Sequence, residues 1–426
     1  QQSTVIMALS SRAEPFLASN PKSYGSIHIS LLGDLYDETS NPEGAILMSV
    51  AENKLCGDII LERLQEHKPF TQAMLNYTDG TGLPTFKPVL AEFMTRDVLK
   101  LGDKQTVKPE QLVVSAGCTG LLFQLSTLLF ERGDSILIPT PYYPAFEQDF
   151  GFLGGVHLIP IDPTNAQYDL TLEDLNRAYN LAIERKQPPK AVLIANPHNP
   201  LGKIYSPEQL LMLVSWCREH KIHLISDEIY ALSVFNPAVD GAFHSIAALL
   251  DNDLGEYVHI LWGVSKDLGS SGLRVGALYS HNAALVRAIG ANNTAHQVSN
   301  AIQELFTDML QDATFMRYLI AENNARIQKN YLLLTQGLDA LGLTYVPAGA
   351  GIFLFVNLQP LMREVSYEAE RELHLALVEK IKWSLTPGEP CKHTTPGYFR
   401  VCYCWVSPAG VVEAMKRLKS FKDSLN

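Results

Sequence analysis

A glycine-rich stretch that carries one lysine and one arginine determines how the whole chain is interpreted. The stretch reads Ser265-Lys266-Asp267-Leu268-Gly269-Ser270-Ser271-Gly272-Leu273-Arg274-Val275-Gly276. It follows an apolar run at residues 258–264, a pattern that predicts a strand entering a core. Serines and glycines accompany the two basic residues, so the loop after this strand combines charge, hydroxyl groups and an accessible backbone.

These side chains suit a site for a phosphorylated carbonyl cofactor. Lysine forms imines once burial or a neighbouring cation, here Arg274, lowers its pKa. Arginine presents a rigid fork of donors to phosphate, Ser265 adds a hydroxyl group, and the glycines let the backbone come close. Lys266 is therefore predicted to form an imine with pyridoxal phosphate. The alternative, from this stretch alone, is a solvated pair of Lys266 and Asp267 in a glycine-rich loop.

Length and charge limit the possible architectures and partners. A chain of 426 residues exceeds what one core usually supports, so two domains are expected, one of them built from both ends. The net charge of -11 argues against a nucleic-acid or anionic-membrane partner, because both require a basic face. An anionic small molecule remains possible, since local arginines can override the overall sign.

The cysteines and the absence of targeting patterns indicate a cytoplasmic protein. The six cysteines form no CxxC pair, which favours reduced thiols, and no metal site is predicted. Cys402 and Cys404 alternate along a predicted strand and are interpreted as small buried apolar residues. Residues 1–20 lack the pattern of a signal peptide, and no window has the apolar length of a membrane span.

Apolar runs alternate with helical segments over residues 111–282. The runs predicted to be strands lie at residues 112–114, 135–138, 156–159, 191–195, 222–225, 258–261 and 277–279. Amphipathic helices are predicted between several of them, as at residues 172–183 and 207–219. This alternation predicts an α/β fold with a mostly parallel sheet flanked by helices. Ligands on such sheets bind beyond the carboxyl ends of the strands.

The rest of the chain predicts a smaller α+β domain. Residues 300–341 have helical spacing, and a helix at 367–383, a strand at 398–402 and a closing helix from Val411 follow. The first fifty residues look like an arm or loop. We predict an N-terminal arm with part of the small domain (1–75), a large cofactor-binding domain (76–300), and an interdomain helix with the C-terminal small domain (301–426).

Four short motifs follow predicted strands of the sheet. They are Ser115-Ala116-Gly117-Cys118-Thr119-Gly120, Tyr142-Tyr143-Pro144, Asn196-Pro197-His198-Asn199-Pro200-Leu201-Gly202 and Ser226-Asp227-Glu228-Ile229-Tyr230. The first begins a helix, where free amides favour an anion, although a tight turn is the usual explanation. Tyr143 can cover a planar ring or simply pack, and the rigid third loop can hold an amide in place. Asp227 needs a positive partner, such as a protonated pyridine nitrogen.

Taken together and in this order, the motifs resemble the fold-type I pyridoxal-phosphate enzymes of the class I/II aminotransferase family. Within it the chain is most similar to the 1-aminocyclopropane-1-carboxylate (ACC) synthase-like branch. The motifs that carry the closer resemblance are Ala51-Glu52-Asn53-Lys54-Leu55-Cys56, Pro139-Thr140-Pro141-Tyr142-Tyr143-Pro144, Ser265-Lys266-Asp267-Leu268-Gly269 and Pro396-Gly397-Tyr398-Phe399-Arg400-Val401-Cys402. The resemblance covers nearly the whole chain. It implies an amino-acid substrate and a homodimer whose sites form between two subunits.

The resemblance also implies roles around the cofactor. Lys266 would form the imine with pyridoxal 5′-phosphate and later move the proton at the substrate α-carbon. Asp227 would pair with the ring nitrogen and keep it protonated. The other implied contacts are Asn199 and Tyr230 to the ring phenolate oxygen, Tyr143 stacked on the ring, and Cys118, Thr119, Ser265 and Arg274 to the phosphate.

Four positions are implied on the substrate side. Arg400 would bind the substrate carboxylate with its two-pronged guanidinium group. Glu52 would lie near the substrate amino group or the departing substituent, with a solvated carboxylate at a helix start as the alternative. ACC synthases carry a tyrosine where this chain has Gly80, which is interpreted as space for a larger substrate. Tyr77 is the candidate to replace the missing hydroxyl group.

Two more positions depart from the ACC synthase pattern. A family serine three residues before the lysine is Gly263 here, and a Leu-Pro pair after the lysine loop is Ser270-Ser271. These departures, together with Gly80, separate the chain from true ACC synthases. They do not touch the residues that are implied to hold the cofactor.

Several reactions share the first half, in which the amine of Lys266 removes the α-proton. Loss of a β-sulfur gives carbon–sulfur lysis, loss of a γ-sulfonium with ring closure gives ACC, and protonation of the cofactor carbon gives transamination. We expect a carbon–sulfur lyase acting on a bulky cysteine-derived amino acid, resembling ACC synthase-like lyases of fungal epidithiodiketopiperazine secondary metabolism. An aminotransferase ranks second and ACC synthase third. An inactive binding module of the same fold represents a different class.

Overall fold

A seven-stranded sheet, called the large sheet below, forms the centre of the protein. The computed structural model describes residues 21–66, 70–103, 105–152 and 154–425. In spatial order the strands of the large sheet are Leu112–Ala116, Val275–Ser280, Val258–Gly263, His223–Asp227, Pro189–Ala195, Ser135–Pro139 and His157–Ile161. Val275–Ser280 is antiparallel to both neighbours, and the other neighbouring strands are parallel. The predicted α/β fold with a mostly parallel sheet is therefore confirmed.

Helices cover both faces of the large sheet. The α-helices of the described residues are Tyr24–Leu31, Gly57–Gln65, Phe86–Phe93, Gly117–Leu128, Leu172–Glu184, Pro207–His220, Pro237–Asp240, Ile246–Leu249, Val264–Asp267, Ala283–Asn292, Asn300–Gln311, Ala313–Ala340, Tyr367–Ile381 and Pro408–Asp423. Shorter 3-10 or π-helical turns are Gln72–Leu75, Met94–Val98, Pro109–Gln111, Glu147–Phe152, Ser271–Leu273, Asn293–Ala295 and Gln359–Leu361. Capping boxes begin two of the predicted helices, with Thr171 and Ser206 as the capping residues.

The large sheet separates two apolar cores. Val113 and Leu193 belong to one core, whereas their neighbours Val114 and Val192 belong to the other. Successive side chains of a strand point to opposite faces, so each of these strands contributes to both cores. Burial on both faces is the reason that these strands are continuous apolar runs in the sequence.

The two ends of the chain meet in the smaller part of the molecule. Ile46–Leu47 pairs in parallel with Trp383–Ser384. Beside this pair lies an antiparallel sheet of Thr386–Pro387, Tyr398–Cys402, Phe353–Asn357 and Tyr345–Val346, in that spatial order. N-terminal and C-terminal residues therefore share one structural unit, although the domain limits given above stay a prediction.

Local polar contacts explain where the sequence predictions differ from the structure. The predicted N-terminal arm contains the helix Tyr24–Leu31, whose first turn is capped by the Ser23 side chain. The predicted helical segment 300–341 is two helices, because the Asp312 side chain accepts a hydrogen bond from the Phe315 amide and starts the second. Trp383 lies in a strand, because Lys382 adopts a left-handed conformation and ends the preceding helix. The prediction for residues 1–20 falls outside the described residues.

The cysteines are buried and unpaired. All six are free thiols, as the sequence predicts. Cys402 and Cys404 are fully buried, which confirms that they pack as small side chains, although the strand ends at Cys402. Among the described helices, none is both long enough and apolar enough to cross a membrane.

Close packing at Gly276 generates a stability prediction. A Cβ atom at this strand position would lie 2.4 Å from the carbonyl carbon of Gly117. Because that neighbour is backbone, Gly276→Ala is expected to lower the free energy of unfolding by about 1–3 kcal/mol. Gly272→Ala is the matched control, since its Cβ would have no atom within 4 Å. Urea denaturation of both variants tests this, and equal midpoints would contradict it.

Candidate active site

A small cavity opens at the carboxyl ends of the parallel strands. It is lined by Cys118, Thr119, Leu122, Tyr143, Phe146, Asp149, Ala195, Asn199, Asp227, Ile229, Tyr230, Ser265, Lys266 and Arg274. All of the side chains predicted to contact the cofactor are in this set. The structure thus brings together residues that are scattered between positions 118 and 274 of the sequence.

Lys266 lies in the short helix Val264–Asp267, directly after the strand Val258–Gly263. Its Nζ atom donates a hydrogen bond to the carbonyl oxygen of Ala51 at 2.5 Å. Burial lowers the pKa of the Lys266 amine, and the charges of Arg400 and Arg274 act in the same direction. A lysine held in this way is neutral over a wider pH range than an exposed one, as imine formation requires.

Asp267 connects the lysine helix to the segment 232–233 and to Trp262 in the preceding strand. Its carboxylate accepts hydrogen bonds from the Ser233 hydroxyl group at 2.6 Å, the Leu232 amide at 3.0 Å and the Trp262 indole at 3.0 Å. These bonds give Asp267 a structural role, which explains why an acidic residue follows Lys266. The alternative of a solvated Lys266–Asp267 pair is wrong, because Asp267 is buried and bonded elsewhere.

An anion site lies between Arg274 and the start of the helix Gly117–Leu128. No side chain caps this helix, so its first amides are available to a ligand. The Arg274 guanidinium group donates to the Ser271 carbonyl oxygen at 2.7 Å. A Cβ at Gly117 would lie 2.5 Å from Nη2 of Arg274, so only glycine lets the arginine come so close. This arrangement fits a phosphate group.

Asp227 ends its strand with a buried carboxylate. Oδ1 accepts a hydrogen bond from the Ile229 amide at 3.3 Å, and burial raises the pKa of Asp227 to about 7. A buried carboxylate is costly unless a cation meets it, and a protonated ring nitrogen would be such a cation. The cavity therefore offers the amine of Lys266, the carboxyl group of Asp227 and an anion site at Arg274, which together fit pyridoxal phosphate.

Asn199 and Arg400 are oriented by each other. Nη1 of Arg400 donates to Oδ1 of Asn199 at 3.0 Å, which leaves the Asn199 amide nitrogen free to donate to a ligand oxygen. Nη2 of Arg400 donates to the Ser49 carbonyl oxygen and to the Thr386 hydroxyl group. Nε of Arg400 is buried and has no hydrogen-bond partner in the described part of the chain. Such an arginine retains donor capacity for a carboxylate.

Two aromatic side chains complete the wall. The ring of Tyr143 packs edge-on against Phe146, with centroids 5.3 Å apart. The ring of Tyr230 packs edge-on against Phe353 at the same centroid distance, 5.3 Å. Burial raises the pKa of both phenols, to about 12 for Tyr143, so both remain protonated donors at neutral pH.

Glu52 lies beside this site and is bonded to the loop that carries Arg274. Its Oε1 atom accepts a hydrogen bond from the Ser271 hydroxyl group at 2.6 Å, and Oε2 is 3.6 Å from Nζ of Lys54. The helix that follows begins at Gly57, so Glu52 is not a carboxylate at a helix start. Burial lowers the pKa of Lys266, and the charge of Glu52 acts in the opposite direction.

Gly80 and Tyr77 lie outside the cavity. A Cβ at Gly80 would overlap the carbonyl oxygen of Gly290, so packing within one chain explains the glycine. The expectation that Gly80 leaves space for a larger substrate stays a prediction. Tyr77 is fully exposed. Packing also explains the glycine at position 263, because a Cβ there would be 2.7 Å from the Val275 carbonyl oxygen.

Two polar side chains near the cavity are absent from the sequence predictions. Asp149 lines the cavity, and Tyr24 interacts electrostatically with Arg400. Neither follows a predicted strand. Asp149 belongs to the π-helical turn Glu147–Phe152, and Tyr24 to the helix inside the predicted arm. Only the tertiary structure identifies them.

The comparisons with known proteins agree with this geometry. Residues 45–418 match the family model "Aminotransferase class I and II". The 1-aminocyclopropane-1-carboxylate synthase of Nicotiana tabacum is 34% identical over 91% of this chain and 81% of its own length. Synthase 9 of Arabidopsis thaliana is 35% identical over 91% of this chain and 85% of its own length.

Solved structures show the same fold at lower identity. A double mutant of Thermus thermophilus aspartate aminotransferase has a TM-score of 0.77 and 20% identity, covering 97% of this chain and 99% of that one. The aspartate aminotransferase of Thermotoga maritima has a TM-score of 0.75 and 22% identity over 98% of this chain and 100% of that one. The chain therefore belongs to the class I and II aminotransferase family and is a pyridoxal-phosphate-dependent, ACC synthase-like enzyme.

Proposed function

We propose that the enzyme is a carbon–sulfur lyase that acts on a cysteine-derived amino acid carrying a substituent on sulfur. The observation that supports this most directly is the hydrogen bond from Ser271 to Glu52. ACC synthases have a proline in place of Ser271, and proline has no hydroxyl group to make this bond. The carboxylate beside the catalytic lysine is thus anchored here by a residue that the ACC synthase pattern lacks.

The cavity residues that were predicted to contact the cofactor each have a role in this proposal. Pyridoxal phosphate, when bound, supplies an electron sink for the charge released at the substrate α-carbon. Lys266 would bind the cofactor and later remove the α-proton, and Asp227 would pair with the ring nitrogen. Asn199 and Tyr230 would donate to the ring oxygen, and Tyr143 would cover the ring. Cys118, Thr119, Ser265 and Arg274 would hold the phosphate.

Arg400 and Glu52 act on the substrate side. The guanidinium group of Arg400 binds the substrate carboxylate through the donor capacity left in its buried pocket. The Glu52 carboxylate favours the ammonium form of Lys266 after that lysine has taken the α-proton. The ammonium group then protonates the sulfur as the bond from Cβ to sulfur breaks and the sulfur leaves with the electron pair. A thiol and an enamine result, and water converts the enamine to pyruvate and ammonia.

A substrate panel separates this reaction from the alternatives. The purified enzyme with bound cofactor is incubated with cysteine S-conjugates, with S-adenosylmethionine, or with an amino acid plus a 2-oxo acid. Release of thiol and pyruvate is expected. Formation of a new amino acid without thiol would instead identify an aminotransferase, and formation of a cyclopropane amino acid would identify an ACC synthase.

The variant Glu52→Gln tests the acid–base role. Removing the negative charge while keeping the shape is expected to lower kcat for thiol release by about 10- to 100-fold, because proton transfer through Lys266 is impaired. Ser271→Ala should give a smaller loss, since Glu52 is kept but not anchored. Glu62→Gln, an exposed carboxylate on the adjacent helix, is the control. Unchanged kcat in Glu52→Gln would refute the role.

The variant Asp227→Asn tests the ring-nitrogen contact. Losing one charged hydrogen bond costs about 1.5–3 kcal/mol, so affinity for pyridoxal phosphate should fall about 10- to 100-fold.

In the cofactor-free protein, burial raises the pKa of Asp227 to about 7. Because an unfolded Asp ionises near about 4, this residue makes stability fall as pH rises from about 4 to 7. Asp227→Asn should lessen that fall, as measured by urea midpoints across this range, and identical pH profiles would contradict the assignment.

We further propose that two copies of the chain form a dimer through the segment that contains Tyr77. Tyr77 is 100% exposed, Phe70 78% and Leu75 71%, which is unusual for large apolar side chains in one short segment. Sedimentation should give the mass of two chains, and Phe70→Glu combined with Leu75→Glu should shift it towards one. Ile29→Glu, at an exposed position elsewhere, is the control. A fully active monomer would exclude the dimer.

A further inference from the structure

Asp149 is a buried acid in the cofactor cavity that the roles above do not use. It lies on the π-helical turn Glu147–Phe152, and its side chain is one of those that line the cavity. The residue is only 7% exposed. Its Oδ2 atom is enclosed and has no hydrogen-bond partner within the described ranges. A buried polar atom without a partner in the protein points to a ligand or a shared proton.

Among the residues that the structure describes, another acid acts on Asp149, and no ion pair joins Asp149 to a cation. Leu122, Phe146 and Ile229 provide apolar walls of the same cavity. Burial raises the pKa of Asp149 to about 7, and the charge of Asp227 acts in the same direction. Two carboxyl groups in one water-poor cavity cannot both ionise cheaply, so one of them keeps a proton.

The other titratable groups of the cavity identify which acid keeps it. Cys118 and Tyr143 interact with Asp149 electrostatically, and burial holds both in their neutral forms. The Lys266 amine interacts with Asp227 and favours its ionised form. Arg274 is bonded to the carbonyl oxygens of Ser271 and Ala116, on the phosphate side. Asp227 is thus the acid that ionises, and Asp149 the one that stays neutral.

We propose that Asp149 is a positioning residue of the cofactor site, which stays protonated and donates a hydrogen bond, directly or through one water, to the Asp227 carboxylate. The two acids would then share one negative charge. A carboxylate that accepts such a bond has a lower proton affinity, so the proton shared with the ring nitrogen stays on the nitrogen. Asp149 thereby supports the electron sink without touching the substrate.

Two substitutions separate this role from packing. Asp149→Asn keeps a hydrogen-bond donor of the same shape but cannot ionise, and Asp149→Leu replaces the acid by a somewhat larger apolar side chain that has no donor. The enzyme is loaded with pyridoxal phosphate labelled with ¹⁵N in the ring, and the nitrogen chemical shift is recorded without substrate. The wild type and Asp149→Asn should show the protonated ring. Asp149→Leu should move the shift towards neutral pyridine and weaken cofactor affinity about 10-fold.

An infrared measurement tests the proton on Asp149 itself. The loaded wild type should show the carbonyl stretch of a protonated carboxylic acid that is missing in Asp149→Asn. Glu228→Gln is the matched control, because Glu228 is a buried acid next to Asp227 that does not line the cavity. In this variant the chemical shift of the ring nitrogen should match that of the wild type. An unchanged nitrogen shift in Asp149→Leu, or no lost acid band in Asp149→Asn, would overturn the proposal. These readouts need no turnover, so they are independent of the reaction proposed above.

Discussion

The contact between residues 51–53 and the lysine helix is the constraint on which the site depends. Nζ of Lys266 is bonded to the Ala51 carbonyl oxygen, and the Asn53 side chain donates to the Lys266 carbonyl oxygen at 3.2 Å. The same Asn53 amide donates to Asn323, which lies on the long helix Ala313–Ala340. Three parts of the chain that are far apart in sequence thereby hold one amine. These contacts fix the position of the amine, and burial lowers its pKa.

Burial disfavours the charged forms of two ionisable groups in the cavity, Asp227 and Lys266. Burial raises the pKa of Asp227 and lowers that of Lys266, so the site without its cofactor carries ionisable groups in a costly environment. Pyridoxal phosphate would compensate for these costs group by group, with Arg274 proposed to hold its phosphate and Asp227 its ring nitrogen. The same two groups would make the site selective for a ligand that carries both an anion and a basic ring nitrogen.

Much of the cofactor site could be predicted because its residues follow strands. Lys266, Asp227 and Asn199 each come at or just after an apolar run, and the carboxyl ends of parallel strands meet at one edge of a sheet. Asp149 could not be predicted, because nothing in its local sequence shows that the turn reaches the same cavity. The close packing at Gly80 could not be predicted for a similar reason. The backbone atom that excludes a side chain there belongs to Gly290, and no local pattern connects the two positions.

The departures from the ACC synthase pattern fall into two physical kinds. Gly80 and Gly263 each face a backbone carbonyl oxygen that leaves no room for a Cβ, so these glycines reflect how the chain packs. Ser271 is different, because its hydroxyl group makes a polar contact with Glu52 at the edge of the site. The residues that are proposed to hold the cofactor match the family, whereas the one departure with a chemical consequence lies on the substrate side. In the proposed reaction, a change of that kind would affect the later steps, at which carbon–sulfur lysis, ring closure and transamination diverge.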